Sequence, residues 1–140
     1  MIPSHLVIHH SLTADGRTVS WDAIRWYHVH TMGWADVGYH YGVELVGSRY
    51  EILVGRMQNE TGAHCKEGGM NASSLGVCLV GNFDAEPVPE AQLDRLVRLS
   101  RSLMDVFAIP RENVRRHSDF AAYKSCPGKL FPWSRFLASL

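Results

Sequence analysis

The spacing of apolar positions along the chain predicts short strands alternating with helices. Leu6-Val7-Ile8 is a compact apolar run of the kind a buried strand presents, and His9 falls at its C-terminal end. In α/β sheets that edge is where ligands collect. Residues 13–17 read as a loop, after which Ser20 or Thr18 is suited to cap a helix with Asp22 in its first turn. Trp21, Ile24, Tyr27 and His28 share one face of that helix, and Gly33 stands where a helix ends in a left-handed residue. Residues 37–46 predict a strand, Gly47-Ser48 a hairpin turn and residues 50–54 the returning strand. A loop rich in Gly and Asn follows over 66–73. Residues 75–81 are apolar almost throughout, as in a central strand buried on both faces. Beyond a loop at 82–89 comes the strongest helical pattern, with Leu93, Leu96, Val97, Leu103, Met104 and Phe107 at three- and four-residue steps and Ile109-Pro110 as its stop. Residues 114–116 are extended and deliver His117. Pro132 opens a last short helix with Trp133, Phe136 and Leu137 inward. The expected fold is α/β: a single compact domain over residues 1–140, with a central mixed β-sheet flanked by helices.

Composition narrows the classes of function. Hydrophobic residues at 46% and charged residues at 20% are the balance of a globular domain with a real core. No run approaches the roughly 18 apolar residues of a membrane-spanning helix, so no membrane insertion is expected. The N-terminus has no basic segment followed by an apolar core, so synthesis without a signal peptide, in a cytoplasm, is expected. A formal net charge of zero and a pI near 7.1 argue against a nucleic-acid partner, which would call for a basic surface. Arg95, Arg98 and Arg101 lie at helical spacing and read as a solvated face. No amphipathic surface is left over, so a monomer is expected. Three cysteines are an odd count, and without export they are expected to be reduced. Cys65 and Cys78 sit in apolar surroundings and read as buried thiols.

The candidate chemistry lies in two frames, Ile8-His9-His10-Ser11 and the segment from His117 through Lys124, Ser125 and Cys126 to Gly128. The chain has eight histidines, and most read as packed or hydrogen-bonded residues. His9 and His117 differ because each ends a predicted strand, and Cys126 follows His117 within a loop that can fold back. Two histidines and a cysteine, with a fourth position left to water, describe a catalytic zinc site in a surface groove. Ligands from opposite ends of the chain would let the metal tie the fold together. The alternative is a buried histidine, a surface histidine and a buried thiol, and spacing alone leaves both open.

Further segments carry a resemblance: Gly33 through Tyr41 (Gly-Trp-Ala-Asp-Val-Gly-Tyr-His-Tyr), Gly62-Ala63-His64-Cys65 and Leu75 through Phe83, in order between the two frames above. Together they resemble the zinc-dependent type-2 N-acetylmuramoyl-L-alanine amidases, a family that includes phage endolysins and peptidoglycan recognition proteins. The compact length and the lysine-x-cysteine ending are most similar to the endolysin branch. The resemblance implies zinc ligation by His9, His117 and Cys126, with Tyr39 and Lys124 as catalytic residues. It implies that His64 and Asn71 line the substrate groove. The implied substrate is peptidoglycan, cut at the amide between N-acetylmuramic acid and the first L-alanine of the stem peptide.

The chemistry is consistent with those roles. Zinc acidifies a bound water to a pKa of roughly 7, and the oxyanion that develops on the amide needs a nearby positive charge or donor, which Lys124 suits. A hydroxyl at Tyr39 can orient water, donate to the carbonyl oxygen or help a proton reach the leaving nitrogen. Without the resemblance, Tyr39 reads as a strand aromatic in the core and Lys124 as a solvated loop lysine. Trp34 reads as an anchor of the helix-to-strand turn, and His28 and His30 as packing or capping residues. His40, alternating with Tyr39, is expected on the opposite sheet face and away from the site unless the strand bulges. Relatives with aspartate as third ligand often carry a glutamate in the central strand. Here Cys78 holds the nearest position, which favours the tyrosine–lysine arrangement. The alternative function is a non-catalytic recognition module that grips the same stem peptide.

Overall fold

The structure, a computed structural model, describes residues 1–13 and 20–140. The elements run β1 (His5–His10), α1 (Trp21–Trp26), β2 (Tyr41–Val46), β3 (Arg49–Val54), β4 (Ser74–Leu79), α2 (Glu90–Phe107), β5 (Val114–Arg116) and α3 (Trp133–Ala138). The sheet order is β3-β2-β4-β1-β5. β1 pairs in parallel with β4 and β5, β2 in parallel with β4, and β3 closes one edge antiparallel to β2. This is the mixed α/β sheet expected. Its four parallel strands all end on one edge.

The two-residue alternation of the strands divides the core. Leu6, Ile8, Leu75, Val77 and Leu79 pack on one face against Leu93, Leu96, Leu99 and Leu103 of α2 and Phe136 of α3. On the other face Val7 packs with Cys65 and Met70, while Cys78 and Val80 pack with Trp21 and Ile24 of α1. All six residues of β4 are buried, as its apolar run implies. Gln92, fully buried in α2, donates through Nε2 to the carbonyls of Val43 and Val80, pinning the helix to β2 and to the end of β4.

Ser20 caps α1 by accepting the Ala23 N–H. The alternative cap Thr18, and most of the loop expected over 13–17, lie outside the described residues. α1 continues as a π-helical turn, Tyr27–Thr31, and Gly33 follows with φ 71°, the left-handed ending expected of it. α2 stops two residues before Ile109, because Ala108 turns left-handed at φ 52°.

One expected element is shorter than its sequence pattern. Residues 37–40 are not strand, and β2 begins at Tyr41. Their backbone bonds go to several partners: Ala63 N–H to Gly38 O, Arg56 N–H to Tyr39 O, and His40 N–H to Gly76 O. The Arg56 guanidinium also donates to the carbonyl of Val37. The chain is therefore bent over this stretch, and strict strand alternation does not place Tyr39 and His40. The loop expected over 66–73 contains a 3₁₀ segment, Glu67–Ala72, kinked by left-handed Gly68 and Gly69. No described helix is long and apolar enough to cross a membrane.

Candidate active site and metal centre

The register of β1 against β5 decides where the two histidines meet. Ile8 pairs with Arg116, so the next residues, His9 and His117, emerge side by side at the sheet edge. Their ring centroids are 4.6 Å apart. Cys126 arrives on a loop tied down at both ends. Ser118 N–H donates to the Cys126 carbonyl, and the Asp84 carboxylate accepts from Ser125 Oγ at 2.6 Å and Lys129 N–H at 2.9 Å. The Cys126 Sγ accepts the His10 backbone N–H at 3.4 Å and lies 3.6 Å from His9 Nδ1.

One ligand atom each from His9, His117 and Cys126 falls within 4.8 Å of the others. A tetrahedral ion with Zn–N of about 2.0–2.1 Å and Zn–S of about 2.3 Å separates its nitrogen and sulfur ligands by about 3.6 Å. The His9–Cys126 separation is that distance, so the donor set fits zinc in both chemistry and size. His10 does not join it, since its Nδ1 accepts the Phe83 N–H. Asp119 is held by Arg115 and Arg116.

Burial sets the protonation of the donors. It drives His9 well below the usual histidine pKa, with His64, His117 and Lys124 adding to the effect. Burial and then Lys124 bring His117 down to about 4. Both imidazoles are therefore neutral at pH 7, with a lone pair free to bind metal. Burial pushes the Cys126 thiol up to about 12, against the opposing His10 N–H and Lys124. The metal-free site holds a thiol, and a metal that binds there displaces its proton.

The second nitrogen of His9 is also engaged. Its Nε2 lies 3.0 Å from His64 Nδ1. His64 Nε2 faces the Ser74 carbonyl at 3.4 Å and so carries the proton, which leaves His64 Nδ1 to accept from His9 Nε2–H and holds the His9 ring with Nδ1 toward Cys126. His64 fits because β4 carries glycine beneath it: a Cβ at Gly76 would stand 2.5 Å from His64 Cγ. Asn71 Oδ1 accepts the N–H groups of His64 and Cys65, both at 2.8 Å, and so shapes the loop that carries them.

His40 departs from expectation. It is fully buried, its ring lies 5.6 Å from that of His64, and its Nδ1 accepts the Gly76 N–H. The bend over residues 37–40 turns it under the site rather than away from it. Tyr39 is half-buried, with its ring 5.2 Å from His9. Burial, then Cys78 and Cys126, push its hydroxyl well above the usual tyrosine pKa, and Cys78 is its hydrogen-bond partner. Lys124 is exposed at the rim. His28 accepts the Gly38 N–H, and His30 stacks on Trp26, consistent with packing roles.

A cavity of about 650 Å³ opens over His9, His117, Cys126, Tyr39 and Lys124. A hollow of about 460 Å³ beside it is lined by Cys65, Glu67, Asn71, His117 and Lys124 among others. Trp34, Ala63, His64, His117, Tyr123 and Lys124 border both, so the two form one groove. Sequence reading missed Cys65, Glu67, Gly76 and His40 as parts of this region. Cys65-x-Glu67 directly after His64 was the available signal, two further metal-ligating residue types in three positions.

Residues 1–129 match the family described as N-acetylmuramoyl-L-alanine amidase. The chain belongs to this family. Among similar proteins, the endolysin of Enterobacteria phage K11 is 36% identical over 129 residues, covering 89% of this chain and 80% of that one. A solved N-acetylmuramoyl-L-alanine amidase, LysC from Clostridium intestinale, is 32% identical with a TM-score of 0.79 over 99% of this chain and 85% of its own. Drosophila PGRP-LB is 28% identical with a TM-score of 0.76, covering 94% and 79%. The chain is thus similar both to endolysins and to peptidoglycan-recognition proteins.

Proposed function

We propose that the protein is a zinc-dependent amidase that hydrolyses the bond between N-acetylmuramic acid and L-alanine in peptidoglycan, acting as a phage-type endolysin on the cell wall. The observation that carries this reading is the His9–Cys126 separation of 3.6 Å with His117 beside it, at the floor of an open groove. A structural zinc site would have four protein ligands. Here His10 and Asp119 are otherwise engaged, which supports a fourth position left for water.

In this reading His9, His117 and Cys126 hold zinc, which when bound acidifies water and polarises the scissile carbonyl. Tyr39 keeps its proton at neutral pH and is thereby a donor to the carbonyl oxygen as negative charge develops there. Lys124 supplies a positive charge at the rim of the same cavity. His64 acts twice, orienting His9 and lining the groove, and Asn71 borders the same groove. The protein works as a monomer, with peptidoglycan as its partner and neither nucleic acid nor membrane insertion involved.

Cys126→Ser tests the ligand set. Zinc content and turnover on peptidoglycan are expected to fall together. A variant with full zinc and full activity would contradict the assignment.

A further inference from the structure

A second group of metal-ligating atoms stands on the other side of His117. One ligand atom each from Cys65, Glu67 and His117 lies within 4.8 Å of the others. Cys65 is buried and borders the 460 Å³ hollow, its Sγ lying 3.7 Å from the Glu67 carbonyl. Glu67 is held in place, since Tyr123 donates to its Oε1 at 2.7 Å. Its other oxygen, Oε2, faces His117 Nε2 at 3.9 Å, beyond hydrogen-bond length. The Asn71 bonds to the N–H groups of His64 and Cys65 fix the backbone that carries the thiol.

We propose that Cys65 and Glu67, with His117 as shared ligand, form a second site for zinc or a similar thiophilic divalent ion, and that filling it inhibits the enzyme; this rests on the reading of His117 as a ligand of the catalytic zinc. A thiolate, a carboxylate and an imidazole are ordinary zinc ligands, with bonds of about 2.0–2.3 Å. A small swing of the Glu67 side chain, 22% exposed, brings its oxygen to that range. On binding, the Cys65 thiol gives its proton to solvent, so the site's two negative charges match the ion. Lys66 and Lys124 border the same hollow and oppose a cation there, so this site binds more weakly than the first. A neutral imidazole has one lone pair. An ion at Cys65 and Glu67 therefore draws the His117 ring away from the catalytic ion and also obstructs the groove.

The test titrates metal-free protein with Co²⁺ and follows thiolate-to-cobalt charge-transfer absorption, alongside peptidoglycan turnover against free Zn²⁺. Two successive thiolate steps are expected in the wild type, with activity rising over the first and falling over the second. Cys65→Ala is expected to lose the second step and the fall; Glu67→Gln is expected to weaken the second step alone. A single step that Cys65→Ala leaves unchanged would overturn the proposal. So would a Glu67→Gln variant in which the first step weakens instead, because Glu67 would then be a carboxylate that orients His117. Thiol alkylation mapped in wild-type protein needs no variant to fold: the first equivalent of zinc should protect Cys126 and only the second Cys65, and simultaneous protection would count against separate sites. Failure of the catalytic reading is distinct, since it would show as Cys126→Ser retaining the first step.

Discussion

The two ring nitrogens of His9 have different partners, Cys126 Sγ on one side and His64 Nδ1 on the other, and this fixes what the residue can do. One nitrogen is left to a metal and the other holds the ring still. Tyr39 and Lys124 stand differently, bordering the cavity without belonging to the donor set. Tyr39→Phe and Lys124→Ala are therefore each expected to keep zinc and lose turnover by about 100-fold or more, the size of effect typical when a donor or charge that acts only in the transition state is removed. Zinc content and single-turnover rates check this, and unchanged kinetics would return both residues to structural roles. At this scale the sequence marks His9, His117 and Cys126 as candidates because strand ends and a short return loop are local features. Glu67 and His40 are not marked, because their positions depend on the kinked 3₁₀ segment and on the bend over residues 37–40, which residue types alone do not encode.

Two strand and helix positions separate stability from site geometry. Leu96 of α2 is fully buried among apolar neighbours on the sheet face away from the groove. Leu96→Ala is expected to cost about 2–5 kcal/mol of stability while leaving the affinity of the folded protein for zinc unchanged. Gly76 of β4 is the converse case, because a methyl group there collides with the His64 ring. Gly76→Ala is expected to displace His64, leave His9 Nε2 without its partner and weaken zinc binding by about 10–100-fold. Denaturant midpoints and zinc titration on both variants check the contrast; a Gly76→Ala protein with wild-type zinc affinity would contradict it. α2 and β4 are legible in the sequence because a 3.6-residue apolar period and an unbroken apolar run have few alternative readings. The segment 37–46 shows the limit, since its first four residues carry a strand pattern yet bond to Ala63, Arg56 and Gly76 across distant parts of the chain.

The whole molecule gathers histidines that resist protonation. His9, His64 and His117 all have folded-state pKa values below the usual 6.5, His64 at about 3 and His117 at about 4, with burial the first cause in each. The unfolded chain takes up protons near pH 6.5 that the folded chain refuses. The stability of the metal-free protein is thus fully present above pH 6.5. It falls as the pH drops toward 4, by up to roughly 1.4 kcal/mol per pH unit for each histidine. Asp84 and Asp119, whose pKa values are lowered from 3.8, add a loss of the same sign at still lower pH. Urea midpoints of chelated protein between pH 7 and 4 measure the slope, and a flat profile would contradict the burial of neutral histidines. The most direct test of the central claim is digestion of purified peptidoglycan by zinc-loaded and chelated protein, with products identified by mass spectrometry. The expected result is free stem peptides beginning at L-alanine, released only with metal. Binding to the wall without release would instead identify a recognition module, and cleavage within the sugar chain would contradict the amidase reading altogether.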